Sequence, residues 1–267
     1  MSEDVSRAQE LASHIRRRVL ELSYRANVGH IGSCLSIADI LAAVYGSGDF
    51  RFDPGSPRDV FVLAKGHAGL ALYAALEATG HCDPADLNTF GTDGTAFGVH
   101  PELGLPGINV ATGSLGQGLG TAVGWALGSR IQGHEQRVVA VMSDAECNAG
   151  ATWEAVHFAG HHRIGNLVAI VDVNGQQALG STAEILDQEP FHTRWEIAKW
   201  VVREVDGHDL AGLTAAIRPD PLAPVVVVAR TVFGRGVSFM ERELAWHYRP
   251  MDVDQYSQAM TEQALDA

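Results

Sequence analysis

The chain has 267 residues, of which 46% are hydrophobic and 19% charged, with a formal net charge of -13. That balance excludes a disordered tail, and a basic run no longer than Arg16-Arg17-Arg18 argues against a nucleic-acid partner. No stretch reaches the ~20 uninterrupted apolar residues a membrane span needs, and the acidic start Met-Ser-Glu-Asp-Val lacks an apolar signal core.

In chain order, Ala8, Leu11, Ile15, Val19 and Leu22 fall at helical spacing, so Val5 to Arg25 is expected as one amphipathic helix that stops before the loop "NVGHIGS". A second helix is expected from Ser36, with Ser36 and Asp39 as a capping pair ahead of Ile40, Leu41 and Val44. The apolar run Val60 to Ala64, a turn and an apolar-faced helix then make a strand-loop-helix step. Residues Gly80 to Gly113, rich in Gly, Pro, Asp and His, read as a long irregular segment, and such loops in compact domains are usually functional. "GSLGQGLGTAVGWALG" reads as a tight turn entering a helix of small residues.

A strand at Val138 to Met142, a helix from about Gly150 to His162 and a strand at Leu167 to Asp172 form the clearest βαβ unit. A short strand near Trp200 to Val205, a helix near Leu210 to Ile217 and a strand at Val225 to Ala229 complete the pattern. The fold expected is α/β: one domain over residues 1–267, with a doubly wound, mainly parallel sheet and helices on both faces. The tail after about residue 252 is polar and expected to fray. Cys34, Cys82 and Cys147 form no CxxC pair, which suits a reducing compartment, and a cytoplasmic location is expected.

In an open parallel sheet, ligands bind beyond the carboxyl ends of the strands. Four such ends carry notable residues: Lys65-Gly66-His67, Asp144, Asn174 and Gly234-Arg235-Gly236. Asp144 and Asn174 flank one crossover and offer two hard oxygen ligands at neighbouring strand tips, a pattern Mg²⁺ favours when phosphate oxygens and water complete its octahedron. An aspartate N-cap and an asparagine turn explain the same spacing equally well. Of the 12 histidines, His30, His67, His100 and His247 lie in expected loops, where function concentrates. His157, His161 and His162 fall on an expected helix and are read as structural.

Assembled, the segments "FVLAKGHAGLALY", "HPELGLPGINVATGSLGQGLG", "SDAECNAGATWEA", "IVDVNGQQALG" and "GRGVSFMERELAWH" resemble, in order, the amino-terminal, diphosphate-binding half of transketolases. The resemblance implies thiamine diphosphate and Mg²⁺ as cofactors, with Asp144, Asn174 and the carbonyl of Gln176 on the metal. It implies His67 and His247 on the diphosphate, Gly113, Ser114, Leu115 and Ala145 along the cofactor, and His30, His100 and His247 lining the substrate channel. The reaction implied is transfer of a two-carbon ketol unit from a ketose donor to an aldehyde-bearing or specialised acceptor. Transketolases carry a second half absent from this chain, which implies a separate subunit resembling that half, in an α2β2-like assembly.

Departures from the family are specific. The usual Gly-Asp-Gly reads Ser143-Asp144-Ala145, Ala149 stands for a glutamate, Val173 for an Asp or Asn, Ile31 for a proline, and Tyr248 for a glycine after His247. Other thiamine enzymes, such as a 2-oxoacid dehydrogenase E1 subunit or a deoxyxylulose-phosphate-synthase-like protein, and a non-catalytic regulatory relative are the alternatives. "AKGHA" and "AWH" favour transketolase over the dehydrogenases.

Overall fold

Alternate residues of the central strands serve two different cores, and this period of two organises the molecule. The structure is a computed structural model and describes residues 3–52 and 59–265. Its helices and strands run, in order, α1 Glu3–Ala26, α2 Ile31–Ser36, α3 Ala38–Gly46, β1 Val60–Leu63, α4 Gly69–Ala78, α5 Pro84–Leu87, α6 Gly118–Ile131, β2 Val138–Ser143, α7 Gly150–His161 and β3 Leu167–Val173. They continue with β4 Gln176–Gln177, β5 Gly180–Ser181, α8 Thr182–Leu186, α9 Phe191–Ile197, β6 Val201–Asp206, α10 Leu210–Ala216, β7 Val225–Arg230 and α11 Val253–Leu265. Among the described residues, no helix is long and apolar enough to cross a membrane.

Five strands pair in the order β1-β2-β3-β7-β6, every pair parallel. Val139, Val141, Val168, Ile170, Val225 and Val227 pack against α1, α3, α4 and α10 on one face. Their neighbours Val138, Ala140, Met142, Ala169, Val171, Val226 and Val228 pack against α6, α7 and α9 on the other. Strands covered on both sides read as unbroken apolar runs, which is why β1, β2, β3 and β7 stand out in the sequence. Each fully buried Val, Leu or Ile among them contributes about 1.5–3 kcal/mol.

All five strands point the same way, so the segments leaving β1, β2, β3 and β7 gather along one edge. The loop after β1 is seated tightly: a Cβ on Gly118, at the start of α6, would lie 2.4 Å from the Ala64 side chain. Glycine is needed there because the helix meets the strand end backbone to backbone.

Three expectations change. Ser36 ends α2 instead of capping a helix. Its hydroxyl donates to Asp172, while Asp39 accepts from Arg16 and pairs with His208; both side chains are drawn inward by partners far along the chain, and α3 begins at Ala38 with no side-chain cap. The segment after Met251 is helical through Leu265, with Ala259 and Gln263 buried and Tyr256 stacked on Tyr24 of α1, ring centroids 4.3 Å apart. One small residue and one aromatic at helical spacing dock this polar helix. Between β3 and β6, where the sequence pattern predicts no element, lie the antiparallel β4–β5 hairpin, α8 and α9.

Candidate functional site

Beyond β1, a short 3₁₀ turn over Gly66–Ala68 carries His67. A Cβ on Gly66 would meet the backbone nitrogen of Gly113 at 2.7 Å, so the segment before α6 lies directly on this turn. Gly113 has φ 140°, and its own Cβ would press on the His100 ring at 2.8 Å. His30 adopts the left-handed conformation, φ 63°, uncommon for a residue with a side chain. It is held there by its N–H donating to the His247 carbonyl and its carbonyl accepting from Cys34 N–H.

The result is a cluster of imidazoles. Ring centroids are 5.5 Å apart for His30 and His67, 5.1 Å for His30 and His247 and 5.5 Å for His67 and His247, with His100 beside them through Gly113. Burial, then the Lys65 charge and neighbouring imidazoles, push His67 well below the usual histidine range. Burial followed by His30 and Lys65 takes His247 down to about 4, and burial followed by His100 and Lys65 lowers His30. These three imidazoles are therefore neutral near pH 7. The Nδ1 atoms of His30 and His247 and the Thr112 hydroxyl are buried with no hydrogen-bond partner among the described residues, an expensive condition.

At the tips of β2 and β3, the residues paired in register are Ser143 and Asp172, which brings Asp144 beside Asn174 and Gly175. The Asp144 carboxylate is buried, 1% exposed, and accepts from the backbone N–H of Ala145 at 2.8 Å and of Gly175 at 2.9 Å. No cationic side chain pairs with it among the described residues. Burial and then the nearby Asp172 charge raise it to about 7. The Asn174 amide oxygen accepts from Gln176 N–H, and its amide nitrogen donates to Asp172. Ser143 and Glu146 form a capping box on the 3₁₀ helix Asp144–Asn148, and Glu146 also accepts from Gly116 N–H at 3.0 Å, tying the strand tip to the segment that bears Gly113, Ser114 and Leu115. Ala145 lies within that 3₁₀ helix and is absent from the residues with positive φ, so its methyl group costs no backbone strain. Leu115 stands 45% exposed.

The two halves of the site are joined by a pair whose role the sequence did not reveal. Lys65 and Asp172 are both fully buried and bond at 2.5 Å. Asp172 also accepts from Ser36, Asn174 and Thr231, and Lys65 donates to the Ser33 carbonyl. The available signal was a lysine closing one apolar run and an aspartate inside another.

A buried carboxylate without a cation, an amide oxygen beside it and unpartnered imidazole and hydroxyl atoms nearby fit an anionic ligand brought in with a hard divalent ion. The family model described as "Transketolase, thiamine diphosphate binding domain" matches residues 7–266. The chain belongs to the transketolase family, as its thiamine diphosphate-binding domain. It is 37% identical to SqwG, the 6-deoxy-6-sulfo-D-fructose transketolase subunit of Clostridium sp. (strain MSTE9), with 98% of each chain covered. It is 35% identical to an apulose-4-phosphate transketolase subunit of Phocaeicola vulgatus, covering 92% of this chain and 90% of that one. The crystal structure of transketolase from Campylobacter jejuni superposes with a TM-score of 0.91 at 26% identity, over 99% of this chain but 43% of the solved one. The family domain therefore occupies nearly all of this chain and of these subunit relatives, and less than half of the solved transketolase.

Two outcomes follow from this geometry. Replacing Lys65 with Met leaves Asp172 buried without its cation and is expected to destabilise the fold by about 3–5 kcal/mol, read from urea unfolding. For His247, the folded pKa lies below the unfolded one, so the unfolded chain takes up a proton that the folded chain resists as pH falls from 6.5 toward 4. His247→Asn should therefore gain stability relative to wild type across that window, with the difference smallest near pH 7. A constant difference would contradict the buried, neutral imidazole.

Proposed function

We propose that this chain is the cofactor-binding subunit of a two-subunit transketolase and binds thiamine diphosphate with Mg²⁺ in the crevice beyond β1, β2 and β3. Asp144, the Asn174 amide oxygen and the Gln176 carbonyl hold the metal ion. His67 and His247 donate to the diphosphate, and Gly113, Ser114, Leu115 and Ala145 flank the cofactor, Leu115 offering it an apolar surface. His30, His100 and His247 line the channel to the reacting carbon, where imidazoles bind sugar hydroxyls and move protons near neutral pH. When bound, thiamine diphosphate supplies the nucleophilic carbon at which a carbon–carbon bond of a ketose is broken and remade.

The observation that carries this reading is Asp144: a carboxylate removed from water that, among the described residues, accepts from two backbone N–H groups and pairs with no cationic side chain. A nearby cation favours the ionised form of a buried carboxylate in that condition. The partner is a separate protein resembling the carboxy-terminal half of transketolase, in an α2β2-like assembly, which would complete the cofactor's surroundings and receive the sugar or related substrate. Support comes from relatives of matching length whose names call them transketolase subunits.

Asp144→Ala should weaken Mg²⁺-dependent binding of thiamine diphosphate by more than about 100-fold, comparable to or beyond the loss seen on disturbing the surroundings of a metal site, while the urea midpoint does not fall. Isothermal titration calorimetry with and without Mg²⁺ reads the effect. Unchanged affinity in the variant would remove the metal assignment.

A further inference from the structure

Tyr248 directly follows His247, at the position where the family resemblance leads to an expected glycine. Its ring meets the His247 imidazole edge-on with centroids 4.9 Å apart. Its hydroxyl donates to the Ala178 carbonyl at 2.7 Å. Ala178 and Leu179 form the tip of the β4–β5 hairpin, between the paired residues Gln177 and Gly180. That hairpin begins at Gln176, which donates its backbone N–H to Asn174 and its side-chain amide to the Arg242 carbonyl.

The backbone of Tyr248 is engaged on the opposite side. A Cβ on Gly29 would come within 2.4 Å of the Tyr248 carbonyl oxygen, and the next residue, His30, donates its N–H to the His247 carbonyl. Three segments therefore meet at this residue: the loop carrying His30, the 3₁₀ turn Leu244–His247 and the hairpin that follows Asn174. A glycine at 248 could reach neither the His247 ring nor Ala178.

We propose that Tyr248 is a positioning residue that latches the Gln176 hairpin to the His247 loop. It thereby sets the spacing between the metal-side oxygens and the diphosphate-side imidazoles before the cofactor arrives. The proposal rests on the cofactor site assigned above. Because Tyr248 is 58% exposed, its contribution is to the register of two loops and not to the core. The phenol hydroxyl supplies the reach across the gap, and the ring edge keeps His247 from turning away from His30 and His67.

Tyr248→Phe in the full chain removes the bond to Ala178 and keeps the ring. Without any ligand, hydrogen exchange of the amides in residues 176–181 should rise about tenfold, the scale of one lost hydrogen bond in a locally opening segment. The dissociation constant for thiamine diphosphate at saturating Mg²⁺ should rise about three- to tenfold by the same reasoning, with the urea midpoint unmoved. Tyr248→Gly, which loses both contacts, should raise both quantities further. Unchanged exchange in Tyr248→Phe would overturn the latch, as would a loss of cofactor affinity no larger than the accompanying loss of global stability. If the wild-type chain itself bound no thiamine diphosphate, the cofactor assignment would fail, yet the ligand-free exchange comparison would still decide the latch.

Discussion

At the centre of the molecule two opposite charges sit with no access to water. Removing each from solvent costs several kcal/mol, repaid only by close pairing and by hydrogen bonds to the remaining donors and acceptors. Here that condition is met by pieces from across the fold: Lys65 at the end of β1, Asp172 near the end of β3, Ser33 and Ser36 from α2, Asn174 beyond β3 and Thr231 beyond β7. Satisfying the pair therefore requires each of those segments to be in place. His67 follows Lys65 by two residues and Asn174 bonds to Asp172, so the buried pair ties one imidazole of the cluster and the β3 tip to the same condition.

Burial is the first cause of the division of protonation states, and the Lys65 charge adds to it on the imidazole side. That charge helps keep His30, His67 and His247 neutral. Asp172, although paired, still raises Asp144. One side of the crevice thus offers neutral donors suited to an anion, while the other presents a carboxylate that lacks a cation. The diphosphate and Mg²⁺ proposed for this crevice would meet both features at once.

Much of this was legible in the sequence, for a physical reason: β1, β2, β3 and β7 are covered on both faces and so appear as unbroken apolar runs ending in polar residues. Asp144, Asn174 and His67 could be picked out at those ends, His30, His100 and His247 stood out as loop histidines, and the order of five segments pointed to the family. What escaped had partners far away. Lys65 and Asp172 are separated by 107 positions, Asp39 bonds to His208 across 169, and no local pattern foretells either. The α8–α9 region lacks a clear period because it is short and half-exposed, and α11 is polar with a narrow buried stripe. At the two positions where the motif usually has glycine, Ser143 caps the 3₁₀ helix and Ala145 lies in it without a positive φ.

The proposed site joins the Asp144–Asn174 oxygens, the imidazoles and the buried pair, and a chain built that way is expected to retain its cofactor through isolation. Native mass spectrometry of the protein isolated from its own cells would measure cofactor and partner together. An α2β2 complex carrying thiamine diphosphate and Mg²⁺, with a second chain about the size of a transketolase carboxy-terminal half, is the expected result. A homo-oligomer free of cofactor, unchanged in mass when thiamine diphosphate and Mg²⁺ are added, would contradict it.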